Sequence, residues 1–156
     1  MSETEEFLAS VLPRLTEADT ALHNGNAALR KAMWSTTDPV TLFGAALMTT
    51  GWPRIEATFD RLATQFSDCT AFDIEVVAAG ASGDLAYLVA FEHTTASIGG
   101  DLPAPYVLRV TTIFRREEEI WKVVHRHADH LPDGAATRDR LSALRNAGAS
   151  EPRGPS

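Results

Sequence analysis

The sequence predicts an α+β fold in which helices pack on one side of a curved antiparallel sheet and leave a cone-shaped cavity between the layers. Three observations predict it. Apolar residues at Phe7, Val11, Leu15, Ala18 and Leu22 recur at the spacing of one helical face. From Phe72 to Leu131 the apolar pattern alternates with period two, the spacing of strands half-buried on one face. Helices come first and strands follow in a run, with one helix among them, so the crossover helices of a parallel sheet are missing.

Each element has a local cause. Ser2 or Thr4 could cap the first helix, Glu5 is spaced to complete a capping box with Ser2, and Pro13 inside the pattern predicts a kink or a later start there. Asn24-Gly25-Asn26 stops that helix, since glycine suits a left-handed cap. Ala27 to Trp34 reads as a short second helix, broken before Pro39 because the residue preceding proline avoids the helical region. Val40 to Phe43 reads as a short strand. Gly51-Trp52-Pro53 opens a third helix with Ile55, Phe59, Leu62 and Phe66 on its core face. Strands at Phe72–Ala78 and Leu85–Thr95 flank the turn Ala79 to Asp84, and two long strands fill Tyr106 to Leu131 around Arg116 to Glu119.

Composition bounds the function. A chain of 156 residues with 44% hydrophobic content buries a core without disulfides, and one cysteine, Cys69, supplies none. The net charge of -7 argues against a nucleic-acid partner, which requires a basic face. No apolar run reaches membrane-spanning length, and the acidic start lacks a secretory pattern, so a cytoplasmic location is expected. We expect one domain over residues 1–131. Residues 132–156 would add a short helix, Thr137 to Arg145, and a disordered tail from Ser150.

The last strand carries the densest chemistry. Strict alternation puts Trp121, Val123, His125 and His127 on one face, and Lys122, Val124, Arg126 and Ala128 on the other. His125 to His130 also reproduces the HxHxDH ligand signature of metallo-β-lactamase-like hydrolases. Those proteins carry it early, with further ligands far downstream, whereas few residues follow His130 here and none is a histidine. A metal-dependent hydrolase is therefore a minor alternative, and no metal or other cofactor is assigned. A smaller ion site built from His125 and His127 with Asp129 or His93 is weighed below ordinary hydrogen bonding of those side chains.

This order of elements, closing on RVTTIFRREEEIWKVVHRHAD, resembles the nuclear transport factor 2-like superfamily and, within it, the SnoaL-like and ketosteroid-isomerase-like branch. The likeness spans residues 5 to 131 and is most specific at Trp-Lys-Val-Val-His-x-His. It implies an α+β barrel, a conical pocket and a homodimer formed through the sheet. It does not imply one reaction. The isomerases' general-base aspartate falls near Phe43, where no carboxylate lies between Val40 and Gly51. Their acid pair falls near Ala18 and Thr111 or Thr112. None of these matches, which argues against a steroid-isomerase mechanism; the cyclase branch, with a base on the sheet, leaves room for a histidine or Asp129.

The resemblance turns Val124, Arg126 and Ala128 toward the cavity, with Tyr87, Val89, Phe91 and His93, and leaves His125, His127 and Trp121 for a dimer contact. The opposite register would put both histidines inside. His93 is then the candidate general base and Arg126 the oxyanion-binding group, unless Arg126 simply pairs with Glu92 or Asp129. Trp34, Trp52, Thr112 and Phe114 are candidate pocket walls with Tyr87, Val89, Phe91 and Val124. Arg109, His125, His127 and Asp129 are candidates for the other face. The expected function is binding of a small apolar or aromatic ligand with a polar end, by an isomerase or cyclase acting on an enolisable carbonyl. The alternative is a non-catalytic ligand-binding or oligomerisation module.

Overall fold

The computed structural model describes residues 1–44, 46–132 and 135–147, and the tail from Ser150 lies outside them. Two helices, α1 (Glu3–Leu22) and α2 (Ala28–Met33), lead into the short strands β1 (Thr41–Gly44) and β2 (Leu47–Thr50). Helix α3 (Trp52–Gln65) then precedes four long strands, β3 (Phe66–Ser82), β4 (Leu85–Ile98), β5 (Ala104–Glu117) and β6 (Ile120–His130), and α4 (Ala135–Ala147) follows. The sheet order is β2-β1-β6-β5-β4-β3. The helices cover its concave side.

The capping box is made as the sequence indicates: Ser2 Oγ accepts from the Glu5 N–H at 3.1 Å, and the Glu5 carboxylate accepts from the Ser2 N–H at 3.3 Å. Helix α1 starts at this cap and runs through Pro13. Its buried face places Phe7 edge-on to Phe114 and Trp121, with ring centroids 5.0 and 5.2 Å apart.

Three features differ from the alternation-based expectation. The sheet is mixed, because β1 joins β6 in parallel while β2 folds back antiparallel on β1. Strand β3 is much longer than Phe72–Ala78, and register shifts along it help the sheet curl around the helices. In β6 a bulge leaves Val124 without an opposite residue, as Phe114 pairs with Val123 and Ile113 with His125. Trp121 and Val123 therefore point into the core, while His125 and His127 point outward two residues later. A strict period of two cannot anticipate that flip.

Gly44 ties β1 to this strand. It sits at φ +96°, and a Cβ there would overlap the Ala128 carbonyl, so the close approach admits glycine alone. Helix α4 packs inward through Leu141 and Leu144, both part of the continuous core. Arg140 anchors α4. Its guanidinium donates to the carbonyls of Ala96 and Ala104, each at 2.7 Å, and lies 5.4 Å from the Tyr106 ring centre. Arg140→Ala is expected to raise amide exchange along α4 about tenfold, since these bonds contribute about 1.5 kcal/mol, while the sheet amides stay unchanged. Exchange in α4 that does not change would contradict the anchor.

Candidate functional site

Between the concave sheet and the helices lies a cavity of about 60 Å³. Its apolar wall comes from Leu22, Leu42, Leu47, Phe59, Leu62 and Phe66, and Leu141 and Leu144 of α4 also line it. Pockets that hold drug-sized ligands are about 300–1,000 Å³. A ligand of more than a few heavy atoms therefore needs part of this lining to move, and we expect the α4 leucines to be that part.

The polar lining is His23, Arg30, Glu92, Tyr106 and Arg126, and its geometry dictates its chemistry. His23 caps α1. Its Nδ1 lies 2.7 Å from the Asp19 carbonyl oxygen, and because a carbonyl only accepts, Nδ1 carries the proton. Nε2 is then the acceptor for the Tyr106 O–H, 2.6 Å away. Burial lowers the imidazole pKa from 6.5 to about 4, so His23 is neutral at pH 7. Burial, reinforced by the Glu92 charge, raises the Tyr106 phenol, which also shares a hydrogen bond with Thr94.

Beside this dyad, Arg126 makes a two-pronged pair with Glu92 at 2.7 and 2.8 Å. Burial alone would push the Glu92 carboxyl up, but the Arg126 guanidinium beside it outweighs burial and holds it below the usual carboxylate range. Burial works against the Arg126 charge too, and Glu92 outweighs it, so the Arg126 pKa is raised. Arg30 pairs with Asp19 of α1, and burial pulls its guanidinium down to about 9, still charged at pH 7. Asp19 Oδ2 and Arg30 Nε are buried without a hydrogen-bond partner among the described residues. The site thus presents a neutral imidazole–phenol dyad next to two charge-cancelling ion pairs.

Several expected site residues lie elsewhere. His93, Tyr87, Val89 and Phe91 stand on the convex face of β4. His93 is 43% exposed and meets Glu75 at 2.9 Å, outside the cavity. The concave face of that strand is Ala86, Leu88, Ala90, Glu92 and Thr94, all buried. Of the β6 trio, Arg126 and Ala128 line the cavity, whereas Val124 is the half-buried residue of the bulge. Thr112 and Phe114 are buried on the concave side, but Phe114 packs beneath α1 and neither lines the cavity. Trp34 backs Phe59 edge-on at 5.5 Å, and Trp52 starts α3; neither is a cavity wall.

The other-face candidates form a surface of their own. His125 bonds Thr41 Oγ1 at 2.6 Å, and its ring meets those of Phe43 and His127. Burial, then the neighbouring His127, lowers the His125 pKa. Asp129 meets the ring of His130 and lies opposite Arg109. Among the described residues no group of three or more His, Cys, Asp or Glu side chains is placed to hold a metal ion, so the HxHxDH stretch does not gather into a ligand set. Also among the described residues, no helix is long and apolar enough to cross a membrane.

His23 and Tyr106 escaped the sequence reading because neither sits in a motif. A signal existed for Glu92: it is the one charge on the small-residue face of β4, Ala86, Leu88, Ala90.

A conical sheet capped by N-terminal helices, with polar groups in the apolar space between, defines the nuclear transport factor 2-like class. Within it this chain belongs to the SnoaL-like domain family, whose pattern matches residues 11–131. No curated protein matches the chain in sequence. Solved structures of the same fold include a candidate dehydratase of the nuclear transport factor 2-like family from Streptomyces avermitilis. It shows 18% identity and a TM-score of 0.70, covering 81% of this chain and 97% of that one. A cystatin-like-fold protein from Novosphingobium aromaticivorans shows 20% identity and a TM-score of 0.65, covering 87% and 89%. A candidate ketosteroid isomerase from Parabacteroides distasonis shows 15% identity and a TM-score of 0.60, covering 85% and 90%.

Proposed function

We propose that this protein is a proton-transfer enzyme of isomerase or cyclase type, acting on a small, mostly apolar substrate with an enolisable carbonyl. The observation that carries this reading is the His23–Tyr106 dyad, buried at an apolar cavity with its acceptor nitrogen unprotonated. When a carbonyl enters, the Tyr106 O–H turns from His23 Nε2 to the carbonyl oxygen. The freed Nε2 lone pair takes the proton of the adjacent carbon, and the C–H electrons move to the oxygen as an enolate held by Tyr106. Return of the proton to another carbon completes an isomerisation; attack of the enolate carbon on a second carbonyl closes a ring. A base of pKa about 4 suits this step, as the aspartate base of ketosteroid isomerase, at about 4.6, illustrates.

Deuterium exchange into the methyl group of acetophenone in D2O tests this. The wild-type chain should accelerate exchange. His23→Gln keeps a hydrogen-bonding side chain that cannot take up the proton and should lose about 100-fold or more. Exchange that is absent, or unaffected by His23→Gln, sinks the reading. A non-catalytic ligand-binding or oligomerisation module is the second reading, favoured by the mutual pairing of Glu92 with Arg126 and of Asp19 with Arg30. Saturable binding without exchange would select it.

A second copy of the chain is the proposed partner for the convex sheet face. Exposed Tyr87 and Ile113 lie directly opposite each other there, beside half-buried Val89, Phe91 and Phe43. Tyr87→Glu should shift sedimentation at micromolar concentration from dimer to monomer; a monomeric wild-type chain would refute the dimer. With its one cysteine half-buried and the thiol pushed up by burial, a cytoplasmic setting fits.

A further inference from the structure

We infer that the cavity selects an electrically neutral molecule whose polar end is a hydrogen-bond acceptor, a ketone, ester or amide, in preference to a carboxylate or phosphate. This rests on the site proposed above as a binding site, and its test is independent of proton transfer.

Two observations carry it. The first is charge cancellation within the buried cluster. Arg126 is committed to Glu92 by two hydrogen bonds, and Arg30 is committed to Asp19. All four charges lie on buried or nearly buried side chains, 1–11% exposed. An anion entering this space would meet the Glu92 carboxylate and find both cations already paired. It would leave one uncompensated charge in a site shielded from water. A neutral acceptor brings no such charge. The expectation that Arg126 would greet a carboxylate fails for this reason: its partner is part of the protein.

The second observation is a donor left over. Arg30 lines the cavity, is buried, and its Nε–H has no partner among the described residues. A buried orphan donor is costly, and a carbonyl oxygen satisfies it without altering the net charge. The Tyr106 hydroxyl is already spent on His23 Nε2, so Arg30 supplies the open donor. The apolar wall takes the rest of the molecule.

The experiment compares acetophenone and benzoate, which share a ring and nearly a shape, both need the α4 leucines to move aside, and differ by one charge. Affinities are read from amide shifts of residues around Arg126 and by calorimetry. The wild-type chain should bind acetophenone at least about tenfold more tightly than benzoate. Glu92→Gln frees Arg126, so benzoate affinity should rise at least about tenfold while acetophenone changes less than about threefold. The double variant Glu92→Gln/Arg126→Gln, again neutral, should restore the ketone preference, and it decides the matter if the single variant does not fold. Benzoate binding the wild-type or double variant as tightly as acetophenone overturns the inference, as does acetophenone giving no saturable shift. Failure of the proton-transfer reading looks different: the ketone preference would stand, with no exchange at the methyl group.

Discussion

Arg126→Leu should destabilise the fold by about 3–5 kcal/mol, whereas Glu92→Leu/Arg126→Leu should recover most of that loss. The single change leaves Glu92, 9% exposed at its side chain, beside apolar groups with its nearest cation gone. Its carboxyl would then take up a proton or draw water into the core. The double change removes both desolvated charges and fills the space with apolar volume, which is often neutral for a buried pair. Urea denaturation of the four corners of this cycle reads the coupling directly. A single-variant loss below about 1 kcal/mol, or additivity across the cycle, would show that the pair is hydrated and contributes little. The single variant also speaks to function, because the charge of Glu92 bears on both His23 and Tyr106.

Acidification should destabilise the protein by about 3 kcal/mol between pH 6.5 and pH 4 through His23 alone. The folded chain holds this imidazole neutral, with its pKa lowered from 6.5 to about 4, whereas the unfolded chain protonates near 6.5. Between those values the unfolded state binds more protons, so stability rises with pH. The contribution is fully present above about 6.5 and is lost as pH falls through the folded value. Glu92 adds a second loss at lower pH, since its depressed pKa contributes stability that is full above its unfolded value and is lost as pH falls through the folded one. His23→Gln should flatten the upper part of this profile and spare the lower. A wild-type stability that does not change from pH 7 to pH 4.5 would mean that His23 is hydrated in solution.

The legible parts of the chain were those with local causes. The capping box at Ser2 and Glu5, the glycine stop after α1 and the helix opening at Gly51 each follow from neighbours in sequence, and each is found. The site was less legible, and two residues show why. His93 stands on the bulkier face of β4, and bulk suggested burial. The concave face instead carries Ala86 and Ala90, small enough to admit the helices above, and the bulky face is left for solvent or a partner. Arg126 faces inward while Trp121, five residues earlier, also does. That combination breaks a period of two and requires the bulge at Val124, which is set by pairing with β5.

Helix periodicity, caps, turns and the run of alternating strands were written in the order of side chains, since each depends on residues within a few positions. That order was enough for the α+β class and the family. The direction of each strand face, the entry of β1 beside β6, and the meeting of His23 with Tyr106 depended on the tertiary structure. Those two residues are separated by four strands and two helices; the helix cap accounts locally for His23, but nothing near it in sequence points to Tyr106. Packing buries them together, and burial makes His23 a neutral acceptor for the Tyr106 hydroxyl.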